Sequence, residues 1–356
     1  MATQTSITRS QLMSKIETWI SSQSDLVDVN NNGVVTHVRD YIDKTKQFDV
    51  SACNLNYHLS GVQQGLVYPF HGNSASETRF KSSVPLFGLV PNSVLPLSDL
   101  PSRGDVYFGG FILSDKSVIL TVRTSIVGNV YVGALANADG SFASGVNSDY
   151  TIRYLGEDRT NDFRNSRRQA FYSSKGIWYS LYGLRNVNFN QNGNYNKYYQ
   201  IGGYITYELT GYATDFIYTK QPLTNEECYV LECLIAKKAL DGDETMLDRI
   251  LKPSHPYING VTFTPEQYNI TINNGTSNVA TASSGSIITI TANDLLKTEG
   301  KDFSHWQVVS GGVTLGSNNA SQTTFTMPEQ NVEITANYNM HLWTINIVDA
   351  EATISG

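Results

Sequence analysis

The sequence predicts a multi-domain, mainly β protein, with an N-terminal helical hairpin, a central antiparallel β-sandwich or jelly roll, a short helical spacer and a small C-terminal β module. Three observations carry that expectation. At roughly 150 residues per domain, a chain of 356 residues makes about two to three units, each able to bury a core. Charged residues are 16%, well under the usual quarter of a globular domain, while Gly (28) and Tyr (21) are abundant, so the surface is polar but uncharged. Between Asp105 and Tyr218, β-branched and aromatic runs bounded by Gly, Asn and Asp follow one another with no helical pattern between them.

Residues 1–50 read as the helical hairpin. Leu12, Ile16, Trp19 and Ile20 recur at helical spacing, Asp28 to Gly33 interrupts, and Val35, Val38, Tyr41 and Ile42 repeat the pattern. Helices near ~12–15 residues are marginal alone, so their apolar stripes need a partner, either the rest of the chain or symmetry mates; the second is favoured, making this segment an anchor of a dimer or trimer. Residues 51–102, punctuated by Gly61, Gly65, Pro69, Gly72, Pro85, Pro91, Pro96 and Pro101, read as an extended connector. The body is assigned to residues 103–221, with strands at Val106-Tyr107-Phe108, Val118 to Val122, Val130-Val132, Ile177 to Tyr179, Tyr204 to Tyr207 and Phe216 to Tyr218. Residues 222–256 return to helix. Thr224 and Glu227 have capping-box spacing, Leu231, Leu234, Ile235 and Ala239 form the apolar stripe, and Asp241-Gly242-Asp243, then Pro253 and Pro256, break it. The expectation is a spacer or clamp between two β domains.

Residues 262–338 alternate again. Tyr268 to Ile272 has period two, Asn274-Gly275 is a hairpin signal, and Ile288 to Thr291 is a further strand. Phe303-Ser304-His305-Trp306, Thr324 to Pro328 and Asn331 to Tyr338 follow. From about Thr264 to Tyr338 this succession resembles the divergent Listeria-Bacteroides B-repeat, a small β module of bacterial surface and phage-encoded proteins; Trp306 and Phe325 are the bulk such a module needs at its centre. In residues 339–356, Trp343 to Ile347 repeats the opening alternation, as the start of a further repeat or a strand-pairing tail.

The chemistry is sparse. A net charge of −7 argues against nucleic acid as a partner. No run of about 18 apolar residues offers a membrane span, and Met1 to Arg9 is polar, unlike an export signal. Cys228 and Cys233 lie on a helical pattern, so a disulfide framework is not expected, and Cys53 lacks a sequence partner. Asp28, Asn30, Asn32 and Gly33 match the start of a calcium loop, but Arg39 stands where the bidentate acid belongs, which favours a plain Asn/Gly turn. His37, His58, His71, His255, His305 and His341 form no metal spacing. Asp105, Asp149, Glu157 and Asp215 are the carboxylates a glycan-degrading enzyme would have to pair. Nothing in sequence joins any two, and no nucleophile motif or phosphate loop appears. Arg153, Arg159, Arg164, Arg167 and Arg168 could dock an acidic partner or anionic glycan, or form a solvated loop with its own ion pairs. Tyr179, Tyr182, Tyr195, Tyr198 and Tyr199, with Asn188, Asn190, Asn192, Asn194 and Asn196, suit sugar stacking and strand packing equally. No catalytic, cofactor or metal residue is assigned, and the chain is expected not to be an enzyme.

Ile16 to Ile20, the Asn-rich turn and Val35 to Ile42 also resemble the short helix-turn-helix leader of tailed-phage fibre and appendage proteins. With the B-repeat, the resemblance implies a virion appendage of a Bacteroides-type, crAss-like phage. The implied form is a capsid-attached head fibre or vertex appendage, then a tail fibre or collar-associated protein, with capsid and host-surface glycan as partners. A bacterial surface adhesin or glycan-binding protein is the alternative.

Overall fold

The computed structural model describes residues 1–51, 55–58, 66–68, 78–79, 84–89, 95–97, 103–112, 118–124, 129–134, 151–158, 160, 172–173, 176–188, 197–201 and 211–342. They fall into two compact units, Met1–Thr264 and Pro265–Gly356. Both are mainly β.

The first unit is organised on an antiparallel sheet of eight strands: β1 (Ile16–Ser21), β2 (Asn56–His58), β3 (Leu86–Leu89), β4 (Arg103–Ile112), β5 (Thr151–Tyr154), β6 (Glu157–Asp158), β7 (Ser180–Asn188) and β8 (Gly211–Thr219). Their order is β6-β5-β7-β4-β8. The far side of β8 is then shared by two strands in series, β1 along Asp215 to Thr219 and β3 along Gly211 to Ala213, with β2 outside β3. The described residues of β4 from Gly104 to Phe111, and nearly all of β8, are buried on both faces, which is why they read as continuous apolar runs. A helix, α2 (Asn225–Ala239), covers one face. Gly109 of β4 permits the approach: a Cβ there would lie 3.1 Å from Ile235 Cγ2 and 2.3 Å from Tyr179 Oη.

The N-terminal helical hairpin is corrected. Only α1 (Arg9–Ser14), opened by a Thr8–Gln11 capping box, is α-helical, and Ser24–Leu26 adds one 3-10 turn. Ile16 to Ser21 is β1, and Val35–Arg39 is the middle strand of a meander with Val27–Val29 and Gln47–Asp49. Leu12, Ile16, Trp19 and Ile20 fit a helical period, yet β1 is buried on both faces, so no alternation betrays it, and Ile16, Thr18, Trp19 and Ile20 are strand-favouring types. Buried Asp40 locks the arrangement by accepting N–H bonds from Trp19 (2.8 Å), Ile42 (2.8 Å) and Asp43 (2.9 Å). Thr3–Gln4 runs parallel to Val261–Thr262, so the start of the chain is stitched to the end of its own unit. Deleting residues 1–47 is therefore expected to abolish cooperative unfolding of residues 1–264; a truncated chain that keeps its melting transition and near-ultraviolet signal would contradict this.

Two further assignments change. Residues 51–102 are not simply a connector, since β2 and β3 belong to the main sheet. Residues 222–256 do not space two domains: Val230, Leu231, Ile235, Ala236, Leu247, Ile250 and Leu251 lie in the core of the first unit. The expected capping box is present, with Glu227 N–H on Thr224 and Thr224 N–H on Glu227. Of the expected body strands, Val118–Thr124 and Asn129–Ala134 join Lys197–Ile201 and Leu95–Leu97 in a separate antiparallel sheet, whereas Tyr204 to Tyr207 lies outside the described residues.

The second unit holds β9 (Tyr268–Asn273), β10 (Gly275–Ser277), β11 (Thr281–Ala282), β12 (Ile287–Ala292), β13 (Lys301–Ser310), β14 (Gln322–Thr326) and β15 (Val332–Met340) in two sheets, β11-β9-β15-β13 and β10-β12-β14. Ile270, Ile288, Ile290, Trp306, Phe325, Met327 and Ile334 fill the space between them, as the alternation predicts. The Asn274-Gly275 hairpin is corrected. Asn274 is left-handed (φ 59°), but β9 and β10 do not pair; the turn carries the chain from one sheet to the other, and β9 pairs instead with β11 and, in parallel, with β15. Glycine is required at 275 because a Cβ would meet Thr291 O at 2.8 Å, Ile272 Cγ2 at 2.9 Å and Trp306 Cη2 at 3.0 Å. Gly275→Ala should destabilise this unit by about 1–3 kcal/mol through overpacking, measured by denaturant unfolding; a neutral result would show that the corner yields. Asn339 and Met340 complete β15, and residues 343–356 lie outside the description.

Candidate functional site

Helix α2 meets the sheet through three buried acids. At its N-terminal end, Asp105 accepts N–H bonds from Asn186 (2.7 Å) and Leu223 (3.1 Å), with Arg185 Nε at 3.7 Å and Cys228 Sγ at 3.9 Å. Burial raises the Asp105 pKa, and those partners offset only part of the rise. Burial, then the Asp105 charge, pushes the Cys228 thiol up to about 12, so it is not a nucleophile. At mid-helix, Glu232 is 1% exposed and takes Arg153 Nε at 2.5 Å and Nη2 at 2.8 Å. Arg153 also bonds Gly156 O (2.8 Å) and lies over the Tyr229 ring at 4.5 Å. His255 Nδ1 accepts from Tyr257 N, which leaves the proton on Nε2, 3.5 Å from Glu232. Burial works to raise the Glu232 pKa, but the Arg153 bonds outweigh it, helped by His255, and the carboxyl sits below its ordinary value. At the C-terminal end, Asp215 is fully buried and accepts from Trp19 Nε1 (2.7 Å) and Lys238 Nζ (2.9 Å), while Lys238 also bonds Ser21 Oγ.

Of the carboxylates singled out for hydrolysis, the three that are described are internal partners. Asp105 and Asp215 are enclosed, Glu157 accepts from Ser254 (2.9 Å), and Asp149 lies outside the described residues. In the calcium-like loop, Arg39 holds both oxygens of Asp28 (2.9 and 2.8 Å), and Asn30 Oδ1 accepts N–H from Asn32 (2.9 Å) and Val34 (3.1 Å), with Gly33 at φ 75°. The arginine that breaks the calcium pattern is the residue that occupies its first acid. Among the described residues no group of three His, Cys, Asp or Glu side chains could hold a metal, and no helix is long and apolar enough to cross a membrane.

The other singled-out residues scatter. His37 is on a meander strand, His58 meets Tyr212 edge-on at 5.5 Å, His305 neighbours Ser304, and His341 contacts Asp302. Of the arginine cluster, Arg153 is a buried structural ion, neither a solvated loop charge nor a docking group; Arg159, Arg164, Arg167 and Arg168 lie outside the described residues, as do Cys53 and His71. Tyr179 and Tyr182 are core residues, Tyr179 Oη sharing a 2.8 Å bond with Thr214, so strand packing explains them. Asn188 ends β7, and Tyr198 and Tyr199 are on the strand Lys197–Ile201, while Tyr195, Asn190, Asn192, Asn194 and Asn196 are not described.

A cavity of about 430 Å³ opens where α1, β1, the Tyr41 loop and the end of α2 converge. Met13, Trp19, Tyr41 and Leu234 form its apolar lining; Arg9, Gln23, Lys237, Lys238 and Asp241 its polar one. The Trp19 and Tyr41 rings pack at 4.5 Å between centres, tilted by 41°, and Lys238 lies 5.9 and 5.2 Å from their ring centres. No local pattern hints at this site, because its parts lie some two hundred positions apart and require residues 16–41 to fold as sheet.

Residues 268–341 match the family model of the divergent InlB B-repeat domain, the segment that builds all the described strands of the second unit. No curated protein and no solved structure matches the chain.

Proposed function

We propose that the chain is a non-catalytic virion structural protein, a capsid-attached head fibre or vertex appendage of a tailed phage, that assembles as a homo-dimer or trimer and presents its β surface to the host. The observation that supports it is the use made of the reactive groups: Asp105, Arg153, Asp215, Glu232 and His255 are spent on fastening α2 to the sheet, which suits a rigid display scaffold. The B-repeat module and the uncharged polar surface fit the same role. Since residues 1–50 are part of the first unit, attachment is assigned to that whole unit rather than to a detachable leader. The test is the mass of the purified chain together with antibody labelling of phage particles. A dimer or trimer, with label on the capsid, is expected; label on the tail selects the tail-fibre or collar form. A lone protomer that cleaves glycan, or absence from particles, would overturn the reading, the latter in favour of a bacterial surface adhesin carrying the same module.

A further inference from the structure

We propose that the cavity at the end of α2 binds an acidic saccharide, a sugar bearing a carboxylate; the proposal deepens, and rests on, the reading of this chain as a host-facing attachment protein. The volume, about 430 Å³, is within the range of small-ligand sites. Its lining is richer in cations than in acids: in a chain of net charge −7, Arg9, Lys237 and Lys238 converge on a lining that holds one carboxylate, Asp241, and the acids that balance the two lysines, Asp215 and Glu244, stand outside that lining. Two of the cations are held in place beforehand. Asp215, enclosed behind Lys238, holds its ammonium at 2.9 Å with Ser21 as second acceptor, leaving one of three N–H donors; Glu244 holds Lys237 at 2.8 Å. Fixing these long side chains in the free protein removes ordering entropy that binding would otherwise have to offset. Arg9, exposed on the first turn of α1, has no acid paired with it among the described residues, and its planar fork suits a carboxylate.

The remaining lining fits the rest of a sugar. Tyr41 and Leu234 are half-buried and present apolar surface for a pyranose C–H face, while the Gln23 amide and Asp241 carboxylate supply donors and acceptors for hydroxyls. A purely neutral sugar would leave the Arg9 guanidinium without an acid, and a bare small anion would leave the aromatic wall bare.

The test is titration calorimetry on the full chain with glucuronate and N-acetylneuraminate, against glucose and acetate. At least one acidic sugar is expected to bind about tenfold or more tightly than both controls, a difference of about 1.4 kcal/mol. Arg9→Ala is expected to weaken it about tenfold and Gln23→Ala several-fold, both with unchanged melting. Acetate binding as well as the acidic sugars would reduce the site to an anion site; equal binding of glucose, no binding of either acidic sugar, or indifference to Arg9→Ala would overturn the proposal. Binding by a chain absent from particles would sink the appendage reading and leave the site intact, and particle incorporation without binding would do the reverse.

Discussion

Replacing Arg153 by methionine in the full chain is expected to lower the stability of residues 1–264 by about 3–5 kcal/mol, the usual loss when one partner of a buried ion pair is removed. The side chains of Arg153 and Glu232 are 5% and 1% exposed, so the abandoned carboxylate has no water to turn to, and His255 at 3.5 Å is a weak substitute. Arg153→Met combined with Glu232→Leu should recover much of the loss, because it also removes the buried charge. Denaturant midpoints read both; a double variant as unstable as the single would place the loss in packing.

Acid titration gives an independent readout. In the wild-type fold the Glu232 pKa lies below its ordinary 4.5, so the stabilisation is fully present above that pH and is lost as the pH falls through the folded value. Asp105 acts with the opposite sign: burial raises its folded pKa, so it opposes folding once the pH climbs past the unfolded value. In Arg153→Met the main group lowering the Glu232 pKa is gone and burial dominates. The variant's deficit should therefore shrink as the pH is lowered through the carboxylate range. A deficit independent of pH would mean that the pair is not the origin of the loss.

Trp306→Ala carries the largest expected effect in the second unit, about 3–5 kcal/mol for deletion of a buried aromatic. Trp306 is 3% exposed, packs 5.4 Å from the Phe303 ring and against Gly275, and donates Nε1–H to Ala320 O at 2.9 Å. Trp306→Phe keeps part of the packing but loses that donor, and should fall between wild type and alanine. Thermal unfolding followed on this unit decides the matter, and a shift of a few tenths of a kcal/mol for Trp306→Ala would show that the two sheets close without it.

How far local pattern reaches is clear from particular elements. Thr224 and Glu227 announced the start of α2, since a capping box satisfies backbone donors within four residues of itself. Arg39 at the twelfth position of the Asp28 loop spoke against calcium, and the fold shows it on Asp28. The same local reasoning failed at Ile16 to Ile20 and Val35 to Ile42. Apolar residues three and four apart satisfy a helix; β1, buried on both faces, loses the alternation that would have betrayed it, and in Val35–Arg39 the two buried residues, Val35 and Val38, are themselves three apart.

The amino-acid sequence by itself determined the mainly β class, the extent of the C-terminal module with Trp306 and Phe325 at its centre, and the capped helix at 225–239, because each is written in contacts or periods a few residues long. Tertiary structure alone decided that residues 16–21 complete the sheet on β8, that α2 is core rather than spacer, that Arg153 meets Glu232 across 79 positions, and that Arg9, Tyr41 and Lys238 share one cavity. A side chain states what kind of partner it needs; the chain's long-range pairing chooses which one it finds, and that choice depends on burial that no short window records.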